Sequence, residues 1–523
     1  MAASAGAEAD GSRRSLPPLA TALLLFLVAA KLAIQYAGAN HYGFFRDELY
    51  YMACGEHLAW GYVDQPPLIA LIAWLARHLL GNSLFAIRLL PAIGGAAVVF
   101  LTGVLARELG GNRYAQGLAA AAALFAPAFL AFDSFLSMNA FEPLFWLACA
   151  WLAVRIVNGA SPRLWLAFGA VAGLGLENKH TTLVFGFAII AGLVLAGRAR
   201  MLLSPWIWAG GAIALALAAP NLIWEARHDW PQIEVVRNAQ LYKNEPIGPL
   251  EFLREQVLFL HPVALPIWMS GVAWFLAARD GARYRFLGFA YLIVLAVFLL
   301  MHGKSYYALP AYPMVLAGGG VALEKWLVAP AGFTRWLRIA IPAALVVGGI
   351  ITIPFGAPVL SVGTFLRYSR AMPYAKSVKT ERDATAALPQ LYADMFGWDA
   401  MANQIARIYH ALPPEDQPVC AILAGNYGEA GAIDYYGREL GLPKAISGHN
   451  NYFLWGPRGY SGSCVIVFGE RASTFKDYFE QANLVAVISS WQAMPAERNV
   501  PVYVCRRSRR PLAELWPQFK LII

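Results

Sequence analysis

Residues 41–71, HYGFFRDELYYMACGEHLAWGYVDQPPLIAL, gather two clusters of side chains that could do chemistry. Asp47 and Glu48 are adjacent, among Phe44, Phe45, Tyr50 and Tyr51. Neighbours on a helix point about 100° apart. One carboxylate can therefore face a cavity while the other meets a structural partner such as Arg46 or a loop amide. A carboxylate in a partly dry site can serve as general base towards a hydroxyl. The structural alternative is an interfacial pair capping a helix. The second cluster is Tyr62, Asp64, Gln65, Pro66 and Pro67. The prolines stiffen the turn and would hold Asp64 and Gln65 in fixed directions. Alternatively, Asp64 simply caps the next helix.

Cations suited to a phosphate occur elsewhere. The segment HGKSYYALPAYP (302–313) carries His302, Lys304, Tyr306 and Tyr307. Lys is a point-charge partner for phosphate. Fixed cations stabilise charge that develops on a departing phosphate. A lysine snorkelling from a span end would look the same in sequence. Lys179 and His180, in ENKHTT, fit contact with a phosphate or a plain helix junction. Asp133, in AFDSFLSMNAFE, fits a second cavity acid or a helix cap, and Glu142 lies in an apolar run where an ionisable group tends to face a cavity. The two Trp of WEARHDW (224–230) read as interfacial anchors or sugar platforms. There is no Walker-type loop, HExxH or GxSxG, so ATP-driven transport, zinc hydrolysis and serine-hydrolase chemistry lack support.

The elements that must position these groups are membrane spans. Of the 523 residues, 59% are hydrophobic and 14% charged, against about 25% charged in soluble chains. Mean hydropathy is +0.49. Apolar stretches run over 17–38, 85–106, 115–132, 139–157, 163–178, 181–197, 203–222, 259–278, 285–302, 306–327 and 336–354, about eleven spans at roughly 20 residues each. The stretch 66–80 reads as an interfacial or re-entrant segment. The first span is expected to remain uncleaved, since no small-residue cleavage site follows cleanly. With a cytoplasmic N-terminal arm (1–16), Arg13 and Arg14, Arg107 and Arg113, Arg155 and Arg163, Arg198 and Arg200, Arg279 to Arg285, and Lys325 to Arg338 all fall in inner loops. That alternation absorbs the net charge of +9 without nucleic acid. It places 39–84, Asp133, Lys179, 223–258, 302–304 and the C-terminal tail outside.

From about 370 to 523 polar residues return. Helical periodicity over 388–412 and 429–440, with strands at 417–424, 463–469, 483–489 and 500–505, predicts a small α/β domain. Its unusual loops are NYGEAGAIDYYG (426–437) and SGHNNYFLWGP (447–457), suited to sugar contact or to packing on the membrane domain. One disulfide among Cys420, Cys464 and Cys505 is open if the tail is periplasmic.

An outer loop bearing Asp-Glu and then a Pro-Pro turn resembles the protein O-mannosyltransferase and lipid A aminoarabinose transferase superfamily, family 39 in the broad sense, in its bacterial branch. The resemblance covers about residues 15–355 and implies an α-helical polytopic membrane protein of GT-C type, with residues 17–355 as the transferase domain and 39–84 as its catalytic loop. It implies transfer, with inversion, of a sugar from a polyprenyl-phosphate donor to an envelope acceptor on the outer face of the inner membrane. Asp47 matches the family's catalytic or acceptor-orienting Asp, with Glu48 its neighbour, and Lys304 matches the cation at the lipid phosphate, flanked by His302, Tyr306 and Tyr307. Asp64, Gln65, Tyr62 and Asp133 are expected to line the cavity, and Lys179 and His180 to assist at the phosphate. The expected partners are donor, acceptor and membrane lipids. No cofactor is required by the pattern, although a divalent ion at Asp47 and Asp64 stays open. A flippase for a lipid-linked sugar is the rival; it would not need Asp47 and would show inverted repeats with broken helices.

Overall fold

The computed structural model describes residues 16–327, 332–372, 386–469 and 471–523, so all but the last residue of the expected N-terminal arm lies outside it. Apolar runs become helices because lipid offers no partner to an unpaired backbone group. In chain order they are α1 (Thr21–Gly38), α2 (Arg46–Glu56), α3 (Leu68–Leu79), α4 (Leu84–Glu108), α5 (Arg113–Leu124), α6 (Pro127–Phe132), α7 (Met138–Val157), α8 (Leu164–Asn178), α9 (Thr182–Leu195) and α10 (Pro205–Arg227). They continue as α11 (Pro231–Asn238), α12 (Pro249–Leu260), α13 (Leu265–Leu276), α14 (Arg285–Leu300), α15 (Tyr312–Trp326), α16 (Gly332–Gly356) and α17 (Val362–Ala371).

Among the described residues six helices are long and apolar enough to cross a bilayer, and a seventh crossing arises if the pair α12–α13, bent by 96°, is one span. Pro262 explains the bend, since it has no N–H to continue α12. His261 before it turns left-handed at φ 80°. Each segment expected as a span is largely helical, but several are short. The stretch 115–132 breaks before Pro127 into α5 and α6, and 306–327 opens as a 3-10 turn over Ser305–Ala311. The expected count of eleven thus includes pieces, such as α8 and α9, below full crossing length.

Beyond α17 the tail folds into α18 (Gln390–Ala393), α19 (Trp398–His410), β1 (Cys420–Ala424), α20 (Tyr427–Tyr436), β2 (Ile446–Ser447), β3 (Cys464–Phe468), β4 (Phe479–Ser489) and β5 (Asn499–Ser508). The sheet order is β2-β1-β3-β5-β4, parallel through β2, β1 and β3 and antiparallel beyond. Cys420 and Cys464 face each other in register on β1 and β3 and form a disulfide, while Cys505 is free and buried.

The short strands β1 and β3 are buried on both faces, as a layered α/β sheet requires. One face packs on α19, α20 and residues of the 39–84 segment, and the other on Leu512, Trp516 and Phe519. Helix α20 lies directly against α2. A Cβ at Gly431 would stand 3.0 Å from the Leu49 carbonyl carbon, so a small residue there sets how close the two helices come.

Candidate active site

The carboxylate half begins at the N-terminus of α2. Glu48 accepts from the Phe45 amide at 2.8 Å, closing the first turn. It also takes two bonds from Arg88 on α4, at 3.2 and 2.9 Å, and one from the Leu136 amide at 2.9 Å. Glu48 is fully buried. With these four donors it is a structural strut, which corrects its expected place in the chemistry. Its charged partner is Arg88 rather than Arg46, while the loop amide that the sequence also allowed is present in Phe45 and Leu136. Fixing Glu48 fixes its neighbour. The Asp47 side chain remains 28% exposed, accepts from Tyr427 Oη at 2.9 Å, and has Arg46 Nε at 3.8 Å.

Asp64 sits in the second cluster. Its Oδ1 accepts from Tyr50 Oη at 2.7 Å and its Oδ2 from Asn450 Nδ2 at 3.1 Å. Burial pushes its pKa up to about 6; the Tyr50 bond works against this, Asp47 adds to it, and Lys243 opposes it. The buried phenol of Tyr51 feels both acids: burial first, then Asp47 and Asp64, hold it well above the usual tyrosine range. Tyr62 and Gln65, expected to line the cavity, are scaffolding. Their backbones pair across the turn at 3.1 and 3.4 Å, Tyr62 Oη donates to the Cys54 carbonyl at 3.0 Å, and both side chains are fully buried. Asp133 is corrected likewise. It forms a buried ion pair with Lys31 of α1 at 2.7 Å.

The cation half lies at the α8–α9 junction and the 302–307 turn. Lys179 Nζ is paired with Glu142 at 2.8 Å and donates to Asn139 Oδ1 at 2.8 Å. It stands 4.7 Å from the ring centre of Tyr307 and 5.8 Å from that of Tyr306. Lys304 Nζ stands 5.9 Å from the ring centre of Tyr306. Both ammonium groups thus use aromatic faces within the 6 Å reach of a cation–π contact. The Lys304 turn is pinned by α12, through Ser305 to Glu255 and Gln256 to the Ser305 carbonyl. His180 is bonded to Asn221 at 2.9 Å, whose amide donates to the Trp60 carbonyl at 2.9 Å. His302, left-handed at φ 53°, borders a separate cleft of about 320 Å³ with Gln240 and Phe252.

Three short chain segments tie the halves together. Trp60, touching the His180–Asn221 pair, is four residues from Asp64, at most about 14 Å of extended chain. Leu136, which holds Glu48, is three residues from Asn139, which holds Lys179, or at most about 11 Å. Gln240, bonded to the Met301 carbonyl beside His302, is three residues from Lys243. Lys243 in turn acts electrostatically on Asp64 and His449. Sequence reasoning missed Lys243, although it lies in the outer segment 223–258. It also missed Tyr427 as an individual residue, although its loop stood out. Among the described residues no three His, Cys, Asp or Glu side chains group as metal ligands; Asp47 and Asp64 offer two carboxylates.

A short, tightly braced helix α2 carries acids on one side, with aromatic-backed lysines on the other, in a helical bundle whose fold is of the GT-C type. The family described as dolichyl-phosphate-mannose-protein mannosyltransferase matches residues 64–224. The chain is 26% identical over 424 residues to the lipid A galacturonosyltransferase RgtD of Rhizobium johnstonii, covering 77% of this chain and 84% of that protein. It shares the fold of ArnT from Cupriavidus metallidurans bound to undecaprenyl phosphate, with TM-score 0.60, 15% identity, and 92% and 98% of the two chains covered. The mycobacterial arabinofuranosyltransferase AftD is also similar, with TM-score 0.53 and 13% identity, matching 95% of this chain and 41% of that one.

Proposed function

We propose that this chain transfers a sugar, with inversion, from a polyprenyl-phosphate donor to a hydroxyl of a lipid A-like acceptor on the outer face of the inner membrane. The observation that carries the reading is the tethering of Asp47 and Asp64 to the lysine–tyrosine cluster by three short segments. The acceptor oxygen attacks the anomeric carbon as the bond from that carbon to the phosphate oxygen breaks. Asp47 takes the hydroxyl proton, and the polyprenyl phosphate leaves with its electron pair. Lys179 and Lys304 face the charge that develops on it, where fixed cations act with little reorganisation. Glu142 holds Lys179 aimed at Tyr307 before the donor arrives. Asp64, with Tyr50 and Asn450, orients the acceptor.

The donor class is supported by the fold shared with ArnT, and the acceptor class by the likeness to RgtD. The outer-face assignment is supported by the basic inner loops and by the Cys420–Cys464 disulfide, since such bonds persist in oxidising compartments. The test is purified chain in detergent with an undecaprenyl-phosphate-linked sugar and lipid A. Mass analysis should show lipid A gaining one sugar and free undecaprenyl phosphate appearing, and proton couplings should show the inverted anomer. Donor that flips across a vesicle bilayer without any glycosylated product would instead establish the flippase reading.

A further inference from the structure

A cleft of about 370 Å³ opens at the far end of α2, outside the site just described. Its walls come from two parts of the chain. Glu56 ends α2, and Trp74, Arg77 and His78 lie on the last turns of α3. Arg438 and Lys444 come from the tail. Three permanent cations therefore face one carboxylate. Glu56 is shared between Arg77, at 2.8 Å, and Lys444, so it holds two of the cations in place across the junction. Arg438 is exposed, and its guanidinium makes no ion pair or hydrogen bond among the described residues; only its carbonyl is engaged, by the Gly441 amide at 3.4 Å. The Trp74 and His78 rings pack together at 4.4 Å.

Beside these cations the chain is apolar. α3 is an apolar helix too short to cross a bilayer, and Leu79 and Leu80 at its end are 75% and 45% exposed. Cations next to exposed leucines at the end of such a helix suit an amphiphile whose anionic headgroup lies at the membrane surface. Guanidinium forks match phosphate oxygens in pairs. The cleft is also separated from the reacting centre. Glu56 follows Asp47 by nine residues of helix, about 13 Å along the axis. That distance fits a glycolipid headgroup lying along α2, with a phosphate at one end and the reacting hydroxyl at the other.

We infer that the Arg77–Arg438–Lys444 cleft is an anchoring site for a phosphate monoester on the lipid acceptor, distinct from the site of the donor phosphate. This inference rests on the proposed function for its acceptor class. Its test has a binding arm that needs no turnover. Full-length protein in detergent is titrated with bisphosphorylated lipid A, with the same lipid after enzymatic dephosphorylation, and with inorganic phosphate, followed by native mass spectrometry. The wild-type chain should prefer the phosphorylated lipid. Arg438→Gln should weaken that binding by about tenfold, the loss of a charge-assisted contact, and leave the dephosphorylated lipid unchanged. Arg438→Lys should recover part of the loss, which a merely structural role would not give. In transfer assays the KM for phosphorylated acceptor should rise in Arg438→Gln while kcat holds.

Equal binding of both lipids by the wild-type chain, or equal affinities in wild-type and Arg438→Gln, would overturn the inference. Inorganic phosphate competing at the affinity of the lipid would overturn its lipid part. A chain that shows the Arg438-dependent binding yet glycosylates no acceptor would sink the proposed function and leave the cleft standing.

Discussion

Asp47 and Glu48 share a peptide bond and divide their labour by direction. Glu48 meets four donors and is fully buried, while Asp47 stays at a partly open face with one tyrosine bond. Burial raises the pKa of the Asp64 carboxyl. Its pKa near 6 means the carboxylate form predominates above that pH and is lost below it. If the ionised form orients the acceptor, turnover falls as pH drops through about 6, and Asp64→Asn removes that limb from the profile while lowering the plateau. Rate measured across pH 5 to 8 checks this. On the cation side, Lys179→Met and Lys304→Met should each lower kcat by about 10²–10³, the scale of losing one transition-state donor. A change in KM alone would make them binding groups only.

At the scale of elements, α2 is held from three directions: by α4 through Arg88, by the 133–137 loop, and by α20 of the tail. Arg88→Ala leaves Glu48 charged, buried and unmatched, so it should destabilise the fold by about 3–5 kcal/mol. Replacing the pair together by Leu and Met should cost much less, and a thermal-unfolding cycle in detergent reads the difference. Gly431→Val should force α20 off α2, at about 1–3 kcal/mol of overpacking, and weaken the Tyr427–Asp47 bond with it. Much of this scale was readable in the chain. The strands of the tail were marked by short β-branched runs between turn residues, and the spans by their apolar length. Partner choice was not readable. Arg88 lies 40 residues from Glu48 and Tyr427 lies 380 from Asp47, and only the packed fold brings such pairs together. Asp133 looked like a cavity acid because its partner, Lys31, is buried in α1, where an isolated lysine gives no local sign of what it faces.

For the whole molecule, the tail completes the site instead of hanging from it. Asn451 donates nothing to Asp64, yet its Oδ1 accepts from the Val63 amide at 3.0 Å, and Asn450 reaches Asp64 itself. For these groups to share one site, the 39–84 loop, the 302–304 turn and the tail must lie on one side of the bilayer. Single cysteines at positions 47 and 304, in a background lacking the native free cysteines, should both react with an impermeant thiol reagent applied from outside. Labelling from opposite sides would break the shared chamber. Protein isolated without reductant should also yield a Cys420–Cys464 linked peptide, whereas fully reduced thiols there would place the tail in the cytosol.

The most direct measurement is sugar transfer by Asp47→Asn, compared with wild type in proteoliposomes holding an undecaprenyl-phosphate-linked sugar and lipid A. Losing a general base should lower kcat by about 10²–10⁴, with undecaprenyl phosphate still bound as tightly as by wild type. Transfer by the variant at the wild-type rate would contradict the assignment of Asp47 as the proton acceptor.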